Sequence, residues 1–275
     1  PVSTQTPVST TPWTGWTPPY TATDIANAKT VYQNNINVLT ADKTAAAANT
    51  AKYDGFVTSL AAVVNTGNTG TDAWYASLKT AISDLSTNVK QRTATGAVID
   101  GAIARLNGAI QRVDGYTQRF SAYNTRLVDL PKLTVNGAAY TAQKTADTTQ
   151  ATADAKQVDA DKAQANADTL LNTAKQARVN ADAILTNLLN QVKDANGVAG
   201  FRKVPTDADY KLYQDYATAN QAAYTAQNAA DQAQVASNTA QGVANAAQQD
   251  ALNAQTAADT ARRAELIARG LTVQS

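Results

Sequence analysis

Residues 212–261 read LYQDYATANQAAYTAQNAADQAQVASNTAQGVANAAQQDALNAQTAADTA. Steps of three and four in alternation from Leu212 land on Tyr216, Ala219, Ala223, Ala226, Ala230, Ala233, Ser237, Ala240, Ala244, Ala247, Ala251, Ala254, Ala258 and Ala261. That spacing marks one face of a long helix, and because the face is almost all methyl groups, a partner helix must come very close to bury it. The expected fold is all-α: an elongated, antiparallel, up-down-up-down four-helix bundle with alanine-rich, coiled-coil-like seams and an extended N-terminal arm.

Composition points the same way. The chain has 275 residues and an ordinary apolar fraction of 44%, but aromatics supply only 6%. Alanine buries little surface, and apolar burial stabilises by roughly 25 cal/mol per Å², so contact must be summed over a great length. A rod serves that better than a ball with a thick core.

Net charge is +1 with no basic run, which argues against nucleic acid as a partner. Cysteine, histidine and methionine are absent, removing disulfides, thiolate nucleophiles, imidazole bases and the usual zinc and copper ligands. No apolar run approaches the ~20 residues of a transmembrane helix. The sequence starts at Pro1 without a charged and apolar leader, so synthesis in a host cytoplasm is expected, with secretion or cell-surface display as the alternative.

Residues 1–22, PVSTQTPVSTTPWTGWTPPYTA, are uncharged and rich in Pro and Thr. They favour extended or polyproline II backbone and read as a docking arm, with Trp13, Trp16 and Tyr20 as its contact residues. Four helical segments follow within a bundle spanning 23–270, at about 23–64, 71–129, 138–196 and 206–269, with a C-terminal tail at 271–275. Asn-Gly and Thr-Gly clusters, Pro131 and Pro205 separate them, and connections of this kind place consecutive helices antiparallel. Thr206 is the expected N-cap of the last helix; Arg262, Arg263 and Arg269 crowd its end and Gly270 closes it. The first segment is shorter than the others, so one end of the bundle should lack its fourth helix over a groove of about 25 Å. The arm leads toward that gap, and its aromatics are expected either to fill it or to dock on another protein.

The chain lacks parts for catalysis: carboxylates and lysines are the bases left, and Glu265 is the single glutamate. Asp154, Asp159, Asp161 and Asp168 read as solvating charge off the seam, whereas Lys43, Arg92 and Lys156 fall on seam positions and are expected to lay their stems along it with the heads in water, or to fix register against an aspartate on a neighbouring helix. Gly96 and Gly101 suggest close helix approach, and LTVNG at 133–137 suggests a short strand and tight turn. The loop VAGFRKVP, residues 198–205, sets Val198, Phe201, Arg202 and Lys203 at the distal tip as a candidate receptor contact. No catalytic, cofactor-binding or metal-binding residue is expected.

The expected function is non-enzymatic and structural: an accessory component of a bacteriophage virion, such as a fibre, decoration or tail- or capsid-attached rod. Its partners would be other virion proteins through the arm, a receptor at the tip and a possible second copy. A helical pore-forming toxin fits less well, because LAAVV and VAGFRKV are too short to line a pore, and a bacterial surface spacer or adhesin is a further alternative. Ice binding needs threonines in register, and these are irregular.

Overall fold

The computed structural model describes residues 22–61, 72–78, 80, 96–192 and 206–274, which are all-helical with no strand among them. The named helices are α1 (Ala22–Ala61), α2 (Gly96–Phe120), α3 (Tyr123–Asp129), α4 (Ala138–Val192) and α5 (Asp207–Ala268), with a 3-10 turn at Leu130–Lys132 and a further helical stretch at 72–78. Their length follows from composition. Alanine, glutamine, lysine and leucine all carry good helix propensity, and neither proline nor a run of β-branched residues interrupts α4 or α5.

Local signals set the ends. Thr206 and Asp209 form a reciprocal cap: the Thr206 N–H donates to Asp209 Oδ2 at 2.8 Å, and the Asp209 N–H donates to Thr206 Oγ1 at 3.3 Å. At the other end Gly270 takes a positive φ of 68°, and the Leu271 N–H reaches back to the Leu266 carbonyl at 2.9 Å. The Gly270 N–H meets the Ile267 carbonyl at 3.0 Å, which completes a Schellman motif.

Two expectations need correction. The helix expected over 71–129 is broken at Ser121–Ala122, where Ala122 has φ 59° and α3 starts afresh. No glycine or proline marks that place, so the break has no local signature. The strand expected at Leu133–Val135 is absent; Leu133 is extended but unpaired in any sheet, and the Gly137 N–H closes a turn on the Thr134 carbonyl at 2.9 Å with Asn136 at φ 61°.

The chain divides into two compact units, Pro1–Asn35 with Ala104–Lys162 and Ser237–Ser275, and Ile36–Ile103 with Ala163–Ala236. In the first, Arg105, Arg112 and Arg119 of α2 meet Asp161, Asp154 and Asp147 of α4, so each seven-residue step along α2 is a seven-residue step back along α4. These helices run antiparallel. So do α4 and α5, where Gln143, Gln150 and Gln157 meet Gln255, Gln248 and Gln241. An apolar cluster of Leu130, Leu133, Ala139 and Leu266 closes one end of this unit, with Leu271 and Val273 of the C-terminal tail packed on it.

The second unit holds the largest apolar cluster: Trp74, Tyr75 and Leu78 pack with Leu185, Leu188, Leu189 and Tyr216. Trp74 sits edge-on to Tyr75, Tyr210 and Tyr213, with ring centroids 5.0 to 6.0 Å apart. A smaller cluster joins Ile99, Leu171 and Ala230.

Buried small residues recur every seven positions: Ala146, Ala153, Ala160, Ala167, Ala174 and Ala181 on α4, and Ala223, Ala230, Ser237, Ala244, Ala251 and Ala258 on α5. Added volume has nowhere to go at such sites, so overpacking costs about 1 to 3 kcal/mol. Ala244→Leu is expected to lower the thermal midpoint clearly, whereas Ala246→Leu, at an exposed position on the same helix, is expected to leave it nearly unchanged; equal effects in thermal denaturation would contradict the packing described.

Candidate functional site

Over much of α4 and α5 the second buried position of the heptad is polar. On α4 it is filled by Gln143, Gln150, Gln157 and Gln164, and on α5 by Gln227, Gln234, Gln241, Gln248 and Gln255, all buried. Eight of them face one another as four reciprocal amide pairs. Gln150 Nε2 donates to Gln248 Oε1 at 2.9 Å, and Gln248 Nε2 returns the bond to Gln150 Oε1 at 2.9 Å. Gln143 with Gln255 and Gln157 with Gln241 repeat the arrangement in the same unit, and Gln164 with Gln234 does so in the other.

One amide pairing leaves each Gln a second N–H, and the helix supplies its acceptor one turn on. Gln143, Gln150, Gln157 and Gln164 donate at 2.7 to 3.0 Å to Asp147, Asp154, Asp161 and Asp168, each four residues ahead. The first three carboxylates also accept from Arg119, Arg112 and Arg105 of α2, with Arg119 Nη2 at 2.7 Å from Asp147 Oδ1. One layer therefore runs guanidinium, carboxylate, amide, amide across three helices, and it recurs every seven residues. Charge neutralises charge and amide pairs with amide, which offsets the cost of burying them, while the Nε of each of the three arginines is buried without a hydrogen bond.

Glycine makes room for the layers. A Cβ at Gly108 would stand 3.1 Å from Gln241 Cγ, and one at Gly115 would stand 3.0 Å from Gln248 Cγ. Here α2 passes its bare backbone over the glutamine stems of α5. At the end of the array, Arg126 grips Asp259 with Nε and Nη2 at 2.8 and 2.9 Å. Fully buried Asp129 accepts from Arg262 at 2.5 Å, Lys132 at 3.0 Å and the Gln274 N–H at 3.1 Å, which fastens the C-terminal tail.

Burial pulls the Arg119 guanidinium below its ordinary value, opposed by its hydrogen bond and attraction to Asp147. In the other unit, burial together with the Asp209 charge pushes the Tyr75 phenol from 10.0 up to about 12.

A cleft of about 510 Å³ opens in the first unit between α1, α2 and α4, lined by Ile25, Ala28, Val31 and Tyr32, by Val113 and Tyr116, and by Val158. Its Arg112 and Asp154 are paired with each other, and its Gln157 and Asp161 are joined as well. Among the described residues no group of three or more carboxylates could hold a metal ion, and no helix is long and apolar enough to cross a membrane.

The contact residues expected from sequence, Trp13, Trp16 and Tyr20 on the arm and Val198, Phe201, Arg202 and Lys203 on the tip loop, lie outside the described residues, as does Arg92. Lys43 and Lys156 are both exposed: Lys43 bonds Asp100 of the neighbouring α2 at 2.8 Å, the second of the two expected arrangements, whereas Lys156 stands 4.0 Å from Asp159 of its own helix and off the buried stripe. The buried cations are instead arginines 105, 112, 119, 126, 178 and 262. Asp154 and Asp161 are corrected too, since they neutralise buried guanidinium groups, while Asp159 is exposed. The missed signal was periodic: glutamines stand seven apart from 143 to 164 and from 227 to 255, and arginines seven apart from 105 to 126.

No family model, curated protein or solved structure matches the chain.

Removing one partner from a buried ion pair strands the other, at about 3 to 5 kcal/mol. Asp147→Asn is expected to destabilise on that scale in chemical denaturation, because it removes the carboxylate hydrogen-bonded to Arg119, which is 1% exposed. Asp159→Asn, at an exposed position, is the control and is expected to change stability by no more than about 0.5 kcal/mol.

Proposed function

We propose that this chain is a non-enzymatic structural protein: an up-down-up-down four-helix bundle, drawn out as a spacer and held in a larger assembly by its N-terminal arm. The observation that carries the reading is the repeat of one polar layer of paired ions and paired amides every seven residues. Chemistry in an enzyme converges on one place, where a few groups are left poised for a substrate. Here the buried ionic and amide groups are distributed evenly along the helices and paired with one another. That distribution suits a part whose task is to hold register over distance.

The assembly that this composition and architecture fit best is a bacteriophage virion, with the chain as an accessory rod. Residues 1–22 are the proposed attachment segment, and the loop carrying Val198, Phe201, Arg202 and Lys203 is the proposed outer contact, facing a receptor. The likeness is one of architecture, with no motif behind it.

Deleting residues 1–20 is expected to abolish incorporation into virions assembled in the host while circular dichroism retains the helical signal. Undiminished incorporation, or absence of the full-length chain from purified virions, would overturn the reading.

A further inference from the structure

The cleft of about 510 Å³ in the first unit combines an apolar body with a buried polar group that has a donor left over. Its wall on α1 accounts for the space. Ile25 and Tyr32 flank Ala28 at steps of three and four, so the face that lines the cleft is bulky at two levels and small at the level between. Over residues 22–35 of α1 no side chain is buried, whereas Val113 and Tyr116 on the α2 wall are 7% and 2% exposed. The helix that closes the cleft is the one whose apolar residues still have surface to bury.

The polar group is Arg112. It is 6% exposed, its Nη2 pairs with Asp154, and its guanidinium carbon lies 5.5 Å from the centre of the Tyr116 ring. Its Nε is buried without a hydrogen bond. A buried N–H calls for an acceptor, and the charges around it say of what kind. The pairs Arg112–Asp154 and Arg105–Asp161 leave no positive charge over, and Asp24 adds a negative one to the lining, so an anion is disfavoured. An ammonium group brings no acceptor. A neutral oxygen on an apolar frame meets both conditions.

We propose that the cleft binds a neutral, mostly apolar aromatic molecule carrying one hydrogen-bond acceptor, its ring against Tyr32, Val113 and Tyr116 and its acceptor on Arg112 Nε. The volume falls within the range of about 300 to 1,000 Å³ usual for small-molecule sites. Tyrosines on two of the walls favour a flat ring through edge and offset contacts. A molecule seated there touches α1, α2 and α4 together, so its binding holds α1 against its neighbours. The site depends on neither the attachment segment nor the outer contact proposed above.

Prodan, a naphthalene with a ketone at one end and a dimethylamino group at the other, has this chemistry, and its emission moves to the blue in an apolar site. With the full-length protein it is expected to give saturable, blue-shifted emission. Val31 and Val158 line the cleft yet are 55% and 46% exposed, so Val31→Trp and Val158→Trp fill it without disturbing buried packing. Each is expected to abolish that emission with circular dichroism unchanged, while Val243→Trp, at an exposed position on α5, is expected to bind as the parent does. The same ring without its ketone is expected to bind about tenfold weaker or worse, the loss of one hydrogen bond from a charged donor. No saturable blue shift, undiminished binding in either filled variant, equal loss in Val243→Trp, or equal affinity for the ketone-free ring would overturn the proposal.

Discussion

A buried glutamine amide brings two N–H donors and a carbonyl oxygen, and each must find a partner inside the protein or destabilise it. That requirement governs the contact between α4 and α5. Two glutamines face to face satisfy one donor and one acceptor on each side, and an aspartate one turn along takes the remaining N–H of the α4 glutamine. In the antiparallel register of α4 and α5 all four pairs form together. A slip of one position would leave every layer unsatisfied together. Apolar seams of alanine have no comparable preference, since one methyl group packs much like the next.

Other features follow from this geometry. Alanine at the alternate buried position lets the backbones come close enough for short glutamine side chains to meet. Glycine at 108 and 115 lets α2 lie directly on the glutamine stems. Arginine from α2 then reaches the aspartates, whose side chains range from buried at Asp147 to nearly half exposed at Asp161. Each residue type in the repeat answers a need created by another, so the layer reads as one unit of design.

Much of the fold was legible and part of it was not, for identifiable reasons. The alanine face of α5, the Thr206 cap and the Gly270 stop follow from side-chain volume, hydrogen-bonding capacity and backbone freedom, all local properties. The buried glutamines escaped because a polar residue in a helix is ordinarily solvated. The true buried stripe on α4 pairs Ala146 with Gln150, four residues on, so half of it is polar. Arginine was overlooked for the same reason, although its sevenfold spacing was visible. The break at Ala122 has no local cause in composition; it lies where α2 ends beside Arg119 and Arg126, the latter also donating to the Arg119 carbonyl at 2.9 Å.

The polar layers repeat along α4 and α5 at a constant spacing. That regularity makes the account sharply testable at one layer. A double-mutant cycle on Gln150 and Gln248, each replaced by leucine singly and together and followed by urea denaturation, isolates their coupling. The account predicts that each single change costs about 1 to 3 kcal/mol by stranding its partner, and that the double change recovers most of that loss. Strictly additive costs would show that the two amides do not depend on each other, and would contradict the claim that their pairing sets the register.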